Sequence, residues 1–275
     1  VVGPGDEVII FEPAYDSYRP SVELLGGKVV SIALMAPDFE IDWALVRQKI
    51  NDNTKLIIIN NPNNPTGRIL TLEDIRELES IVCENDLLLL SDEVYEHIIY
   101  DGQAHLTVLS SARLRDRSFV VCSFGKLLHT TGWKIGYVVA SPLLTGEFRK
   151  IHQFNTFAVH APTQLAIAAY LEDEAYYHAL PKFFEAKRDF LVQALASSRW
   201  KVLPTQGTYF MLLDYTMIAE EEDQYFARQL TEIHKVAMIP VSSFYTNETS
   251  QKLLRICFAK KQETLSAAVG ILLEI

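Results

Sequence analysis

Six short apolar runs punctuate the first half of the chain: Val8 to Phe11, Val29 to Ile32, Leu56 to Asn60, Leu87 to Ser91, Phe119 to Ser123 and Ile135 to Ala140. Each is too short for an independent helix and most are rich in β-branched residues, so they read as buried strands. Helical periodicity fills several of the gaps, notably Thr71 to Asn85, where Thr71 can cap and Asp74 follows three residues on. Strand alternating with helix predicts a mainly parallel sheet covered on both faces. From about Pro142 the texture changes to long helical patterns, Leu143 to Phe154, Pro162 to Glu172 and Leu180 to Ala196, the last suited to linking two domains. Beyond it Val202, the Gly207 to Tyr215 segment, a helix near Asp223 to His234, a strand over Val236 to Val241, Leu253 to Phe258 and a closing helix predict a smaller α/β unit. The expected division is 1–178 and 179–275. The acidic run Glu220 to Asp223 reads as a solvated helix start.

Charge and cysteine usage remove several function classes. A formal charge of −10 over 275 residues, with no basic stripe, argues against a nucleic-acid surface, which needs clustered Lys and Arg. No apolar run is long enough to span a bilayer, so no membrane partner is expected. Cys83, Cys122 and Cys257 are odd in number and far apart, which indicates neither a disulfide framework nor a zinc site, and points to a cytoplasmic location.

In a parallel sheet, ligands lie at the carboxyl ends of the strands, so the residues just past each strand carry the chemical information. After Leu56 to Ile59 comes the rigid turn Asn60-Asn61-Pro62-Asn63-Asn64-Pro65-Thr66-Gly67. After Leu87 to Leu90 come Asp92 and, three residues later, the phenol of Tyr95. After Phe119 to Cys122 come Ser123 and then Lys126, an amine in apolar company. Singly, each has a plainer reading: a turn, a helix cap, a packing tyrosine, a loop lysine whose head reaches water. Jointly, an amide, a carboxylate, a phenol and an amine at three strand tips are the groups that hold a pyridine aldehyde cofactor. Asp92 would keep the pyridine nitrogen protonated, Asn64 and Tyr95 would bond the ring hydroxyl, and Lys126 would bond the aldehyde carbon as a Schiff base.

Asn64-Pro65-Thr66-Gly67, Asp92-Glu93-Val94-Tyr95, Ser123-Phe124-Gly125-Lys126 and Thr131-Gly132-Trp133-Lys134-Ile135-Gly136 occur here in one order and spacing. In this the chain resembles the class I aminotransferases that use pyridoxal 5'-phosphate, which implies the fold type I architecture: an α/β domain with a mainly parallel sheet flanked by helices, and a smaller C-terminal α/β domain. The resemblance implies that Lys134 and Ser123 hold the cofactor phosphate, that Tyr15 in Glu12-Pro13-Ala14-Tyr15-Asp16-Ser17-Tyr18 stacks on its ring, and that Arg255 grips the substrate carboxylate with both arms of its fork. The plainer alternatives are a surface lysine, a core tyrosine and an edge-strand arginine paired to an acid.

Within that family the chain is most similar to the methionine and aromatic amino acid aminotransferases, a group that includes kynurenine aminotransferase and glutamine transaminase K. Gly132-Trp133-Lys134, His152 to Phe157, Gly207-Thr208-Tyr209-Phe210 and Arg255 to Lys261 carry this likeness. It implies an amino group moved from methionine or an aromatic amino acid to a 2-oxo acid, with Lys126, Asp92 and Tyr95 as the catalytic set. It also implies a homodimer in which Phe157 enters the partner's substrate pocket beside Arg255 and Asn64. A cysteine-conjugate β-lyase is the rival chemistry. A DNA-linked regulatory module would need a DNA-binding segment, which these residues lack. The sequence opens directly on Val1-Val2-Gly3-Pro4-Gly5, where relatives carry a preceding phosphate-binding helix and arm, so a cofactor-binding fragment without activity is the other alternative.

Overall fold

The structure is a computed structural model, and it describes residues 1–247 and 250–275. Six strands form the larger sheet: β1 (Glu7–Glu12), β2 (Lys28–Ala33), β3 (Thr54–Asn60), β4 (Leu88–Asp92), β5 (Ser118–Ser123) and β6 (Gly136–Ala140). Their spatial order is β2-β1-β3-β4-β5-β6. All neighbours are parallel except β5 and β6, which run antiparallel from Phe119 opposite Ala140 to Ser123 opposite Gly136. β1 is buried at every position, as a central parallel strand must be, whereas β6 has only exposed and half-buried positions, so the Ile135 to Ala140 run is an edge strand and not the buried one expected.

Short helices α1 (Tyr18–Leu24) and α2 (Trp43–Lys49) precede α3 (Leu72–Glu84). The expected cap of α3 forms in full: the Thr71 hydroxyl accepts from the Asp74 N–H while the Asp74 carboxylate accepts from the Thr71 N–H. One-turn helices α4 (Ala112–Arg115) and α5 (Phe124–Leu127) flank β5, and α6 (Pro142–Asn155), α7 (Ala161–Leu171), α8 (Ala175–His178) and α9 (Leu180–Leu195) follow β6. Among the described residues, no helix is long and apolar enough to cross a membrane.

The second sheet is antiparallel, in the order β7-β8-β10-β9, from β7 (Lys201–Val202), β8 (Phe210–Asp214), β9 (Ile239–Pro240) and β10 (Leu253–Cys257). Helices α10 (Asp223–Glu232) and α11 (Gln262–Glu274) cover it. The apolar faces of α9 and α11 meet there through Phe184, Leu191, Leu195, Leu265 and Leu272, in one cluster with Leu213 and Leu254. That cluster also takes in Tyr95, Ile98 and Tyr100, so the segment after β4 packs against the C-terminal sheet.

Two further local expectations are corrected. The strand expected over Val236 to Val241 is paired only at Ile239 and Pro240, because Pro240 has no N–H for a ladder and the chain enters a tight helical turn at Val241. The acidic run does begin a helix, but Asp223 is not solvated: it is 1% exposed and accepts from both the N–H (2.8 Å) and the hydroxyl (2.7 Å) of Ser242. Tertiary contact, not the helix end alone, fixes that carboxylate.

Candidate active site

The carboxyl ends of β3, β4 and β5 open on a cavity of about 630 Å³. Tyr15, Asn64, Asp92, Tyr95, Ser123, Lys126, Lys134 and Arg255 all line it, as do Asn60, Phe210, Ile239 and Phe244. Phe157 does not: it lies beyond α6 with 83% of its surface exposed and a positive φ of 66°.

Asp92 ends β4. Its Oδ2 accepts from the Tyr18 hydroxyl at 2.5 Å and its Oδ1 from the Val94 N–H at 3.2 Å. Burial raises the carboxyl above its ordinary range, and these two hydrogen bonds oppose that rise. The Tyr18 phenol is itself pushed far up, chiefly by burial and then by the neighbouring carboxylate. Glu93 points away from the cavity and is saturated, accepting from Ser91 Oγ (2.8 Å) and the Val108 N–H (3.2 Å), with His105 Nε2 at 2.6 Å. The pair of acids is thus split by strand alternation into one cavity carboxylate and one structural anchor.

The turn after β3 is held by Asn60. Its side-chain amide donates to the Asp92 carbonyl (2.9 Å) and its Oδ1 accepts from the Asn64 N–H (2.7 Å), tying two strand tips together. Asn64 Oδ1 then accepts from Arg255 Nη1 at 2.6 Å, across 191 residues of sequence. Arg255 stands on β10, opposite Leu212 on one side and Ile239 on the other. Its guanidinium carbon lies 4.0 Å from the centre of the Phe210 ring and 4.9 Å from that of Phe244. The partner of Arg255 is therefore an amide between aromatic walls, not an acid. Desolvation lowers its pKa, and its buried Nε has no partner among the described residues. A planar guanidinium held this way presents unsatisfied donors to a carboxylate.

Lys126 sits in α5, with Nζ 3.1 Å from the Tyr209 hydroxyl and 5.5 Å from the centre of the Tyr95 ring. Burial pushes the Tyr95 phenol up, with Tyr209 as the next contributor. Beside Lys126 the backbone leaves no room: a Cβ on Gly136 would lie 2.3 Å from the Cys122 carbonyl oxygen, and one on Gly125 would lie 3.0 Å from Thr131 Cα. This close approach brings Ser123 opposite Gly136 and carries Lys134, at a left-handed φ of 53°, onto the cavity wall. Tyr15 is 45% exposed on that wall, so it is a lining residue, not a core one.

A profile of the class I and II aminotransferases matches residues 1–272. The chain belongs to that family. It is 45% identical to the methionine aminotransferase of Escherichia coli K12, covering 98% of this chain and 70% of the relative, and 34% identical to kynurenine–oxoglutarate transaminase 3 of Rattus norvegicus, covering 98% and 66%. A solved structure of an Escherichia coli protein with a methionine aminotransferase function superposes with a TM-score of 0.97 at 44% identity, over all of this chain and 73% of that one. The N-succinyldiaminopimelate aminotransferase of Mycobacterium tuberculosis gives 0.93 at 32% identity, over 99% and 72%. The expected fold type I architecture, with its mostly parallel sheet and second small sheet, is the observed one.

Members of this family depend on pyridoxal phosphate. The donor set here fits that group: a carboxylate for the ring nitrogen, an amine for the aldehyde, a hydroxyl and an ammonium for the phosphate, and an unsatisfied guanidinium for a substrate carboxylate. Residues that the sequence reading did not assign are Tyr18, Asn60, Phe210 and Phe244. Tyr18 stood in the quoted Glu12 to Tyr18 motif, and its spacing of three from Tyr15 on a helix start was an available signal. Phe244 carried none, because it reaches the cavity through a turn after β9.

Proposed function

We propose that the protein binds pyridoxal 5'-phosphate in this cavity and transfers the amino group of methionine or an aromatic amino acid to a 2-oxo acid. The observation that carries the reading is the convergence of Lys126, Asp92 and Arg255 from α5, β4 and β10 on one cavity. The relatives named for methionine and kynurenine support the substrate class, and so do Tyr15, Phe210, Ile239 and Phe244, which give the cavity an apolar lining suited to such side chains. The chain spans 70% and 66% of those two relatives' lengths, and the activity is a proposal.

When bound, the cofactor supplies an aldehyde and an electron-withdrawing ring that weakens the bonds at the substrate Cα. Asp92 would hold a proton at the ring nitrogen, and the Tyr18 hydroxyl, which donates to Asp92 Oδ2, would keep the carboxylate aimed at it. Ser123 and Lys134 would bind the phosphate, Tyr15 would cover the ring, and Asn64 and Tyr95 would bond its hydroxyl. Arg255 orients the amino acid through its carboxylate. The Lys126 amine would hold the aldehyde and, when free, would be the base that takes the substrate Cα proton.

Phe157 belongs to a second part of the reading. Ile151 and Phe154 on α6, Leu165 on α7 and Phe157 between them are all more than two-thirds exposed, which supports a homodimer in which Phe157 reaches the partner's cavity. A cytoplasmic location is proposed from the free cysteines.

Purified protein mixed with pyridoxal phosphate is expected to show the visible band of lysine-bound cofactor, and methionine is expected to discharge it. A band that survives in Lys126→Ala, or one that no amino acid alters, would overturn this reading.

A further inference from the structure

Tyr209 belongs to the Gly207-Thr208-Tyr209-Phe210 segment, whose role the site description leaves open. It does not line the cavity, yet its hydroxyl lies 3.1 Å from Lys126 Nζ. It therefore touches the amine without itself forming part of the cavity wall. Its ring is fixed among three others, edge-on to Tyr95 at 5.3 Å between centres, and against Phe210 at 4.7 Å and Phe184 at 5.6 Å.

The backbone beneath it is determined several times over. A Cβ on Gly207 would lie 2.8 Å from Pro62 Cβ and 2.9 Å from the Ile98 carbonyl oxygen. Thr208, a fully buried β-branched residue, takes a left-handed φ of 65°, a conformation such residues adopt only where their surroundings impose it. The imposing contacts are the Thr208 N–H to the Ile98 carbonyl (3.0 Å), the Tyr100 hydroxyl to the Thr208 carbonyl, and the Phe258 N–H to the Tyr209 carbonyl (3.0 Å). Strain concentrated one residue before a side chain that touches the reactive amine marks a placed group.

We propose that Tyr209 is a positioning residue for Lys126. Its phenol oxygen accepts one N–H of the amine and thereby sets the direction of Nζ whenever the lysine is not bonded to the cofactor. A long, flexible side chain released by substrate would otherwise sample many rotamers, and only a small share of them places Nζ against a Cα proton. The hydroxyl of Tyr209, fixed by the C-terminal sheet, removes that loss. Because it touches the amine and does not line the cavity, it acts on turnover and not on substrate affinity.

This inference rests on the proposed role of Lys126, and the test separates the two. Tyr209→Phe keeps the ring and deletes only the acceptor. The expected result is an unchanged melting temperature, an unchanged KM for methionine and a kcat lowered about tenfold. In the cofactor-free protein, limiting acetic anhydride is expected to label Lys126 at an altered rate in Tyr209→Phe, read by peptide mass spectrometry, while Lys187 on the surface is labelled as before. An unchanged kcat, a rise in KM with kcat intact, or an unaltered labelling rate overturns the positioning role. The Lys126 assignment is judged separately by the visible band in Lys126→Ala, which must vanish.

Discussion

The hydroxyl of Tyr18, at the start of α1, donates a 2.5 Å hydrogen bond to Oδ2 of Asp92, 74 residues later at the end of β4. A buried carboxylate needs such donors, since desolvation alone favours its protonated form. Tyr18→Phe leaves Asp92 with the Val94 N–H alone, so its carboxyl is expected to rise further. At neutral pH the variant is expected to lose roughly 1.5–3 kcal/mol in urea denaturation of the cofactor-free protein, as for a lost bond to a charged acceptor. The difference should shrink as pH falls through the folded Asp92 value, where the wild-type carboxylate is also protonated.

Asp92 itself is a stability cost. Its folded pKa lies above the ordinary 3.8, so between 3.8 and the folded value the native state binds more proton than the unfolded chain. Stability therefore falls as pH rises through that window and stays low above it. Asp92→Asn keeps an acceptor for Tyr18 and removes the buried charge. It is expected to gain roughly 0.5–2 kcal/mol at pH 7, while losing the discharge of the visible band by methionine. Parallel denaturation and spectral titration check both halves.

Gly136→Ala is expected to be among the most damaging single-methyl changes. The added Cβ would sit 2.3 Å from the Cys122 carbonyl oxygen, and that neighbour is strand backbone that cannot turn aside. A loss of about 2 kcal/mol or more is expected in denaturant unfolding. Cofactor affinity should suffer more than the overall fold, because β5 and β6 part beside Ser123, Lys126 and Lys134.

Asp223→Ala tests whether a buried cap on the C-terminal sheet reaches the site. It strands the N–H and hydroxyl of Ser242, which begin the turn that places Phe244 over Arg255. The expected cost is roughly 2–4 kcal/mol for two unsatisfied buried donors. Hydrogen exchange should rise over residues 241–245, whose Phe244 carbonyl also accepts the Ala14 N–H at 2.9 Å beside Tyr15. KM for the amino acid is expected to rise with it.

The central strands of the larger sheet, β1 and most of β3, were legible because they are buried on both faces. Val8 to Phe11 and Leu56 to Ile59 are then continuously apolar and mostly β-branched, a pattern that local reading detects. Thr71 with Asp74 announced α3 for the same reason: a capping box is a local device. The strand tips that follow supplied Asn64, Asp92, Ser123 and Lys126, which the structure gathers around one cavity. Val236 to Val241 misled, since Val236, Met238 and Val241 are buried by packing although only Ile239 and Pro240 pair in a strand. Asp223 misled because an acid at a helix start reads the same whether water or Ser242 is its partner.

The sequence by itself determined which chemical groups are present and at which strand ends they stand, because strand period, cap and turn chemistry are set by neighbours in the chain. Only the tertiary structure decided the pairs: Tyr18 with Asp92, Asn64 with Arg255, Lys126 with Tyr209. Those partners lie 74, 191 and 83 residues apart. No local pattern encodes such separations. They follow from sheet order and from the packing of the segment after β4 onto the C-terminal sheet, where hydrophobic burial is long-range and hydrogen bonds then select among the contacts it allows.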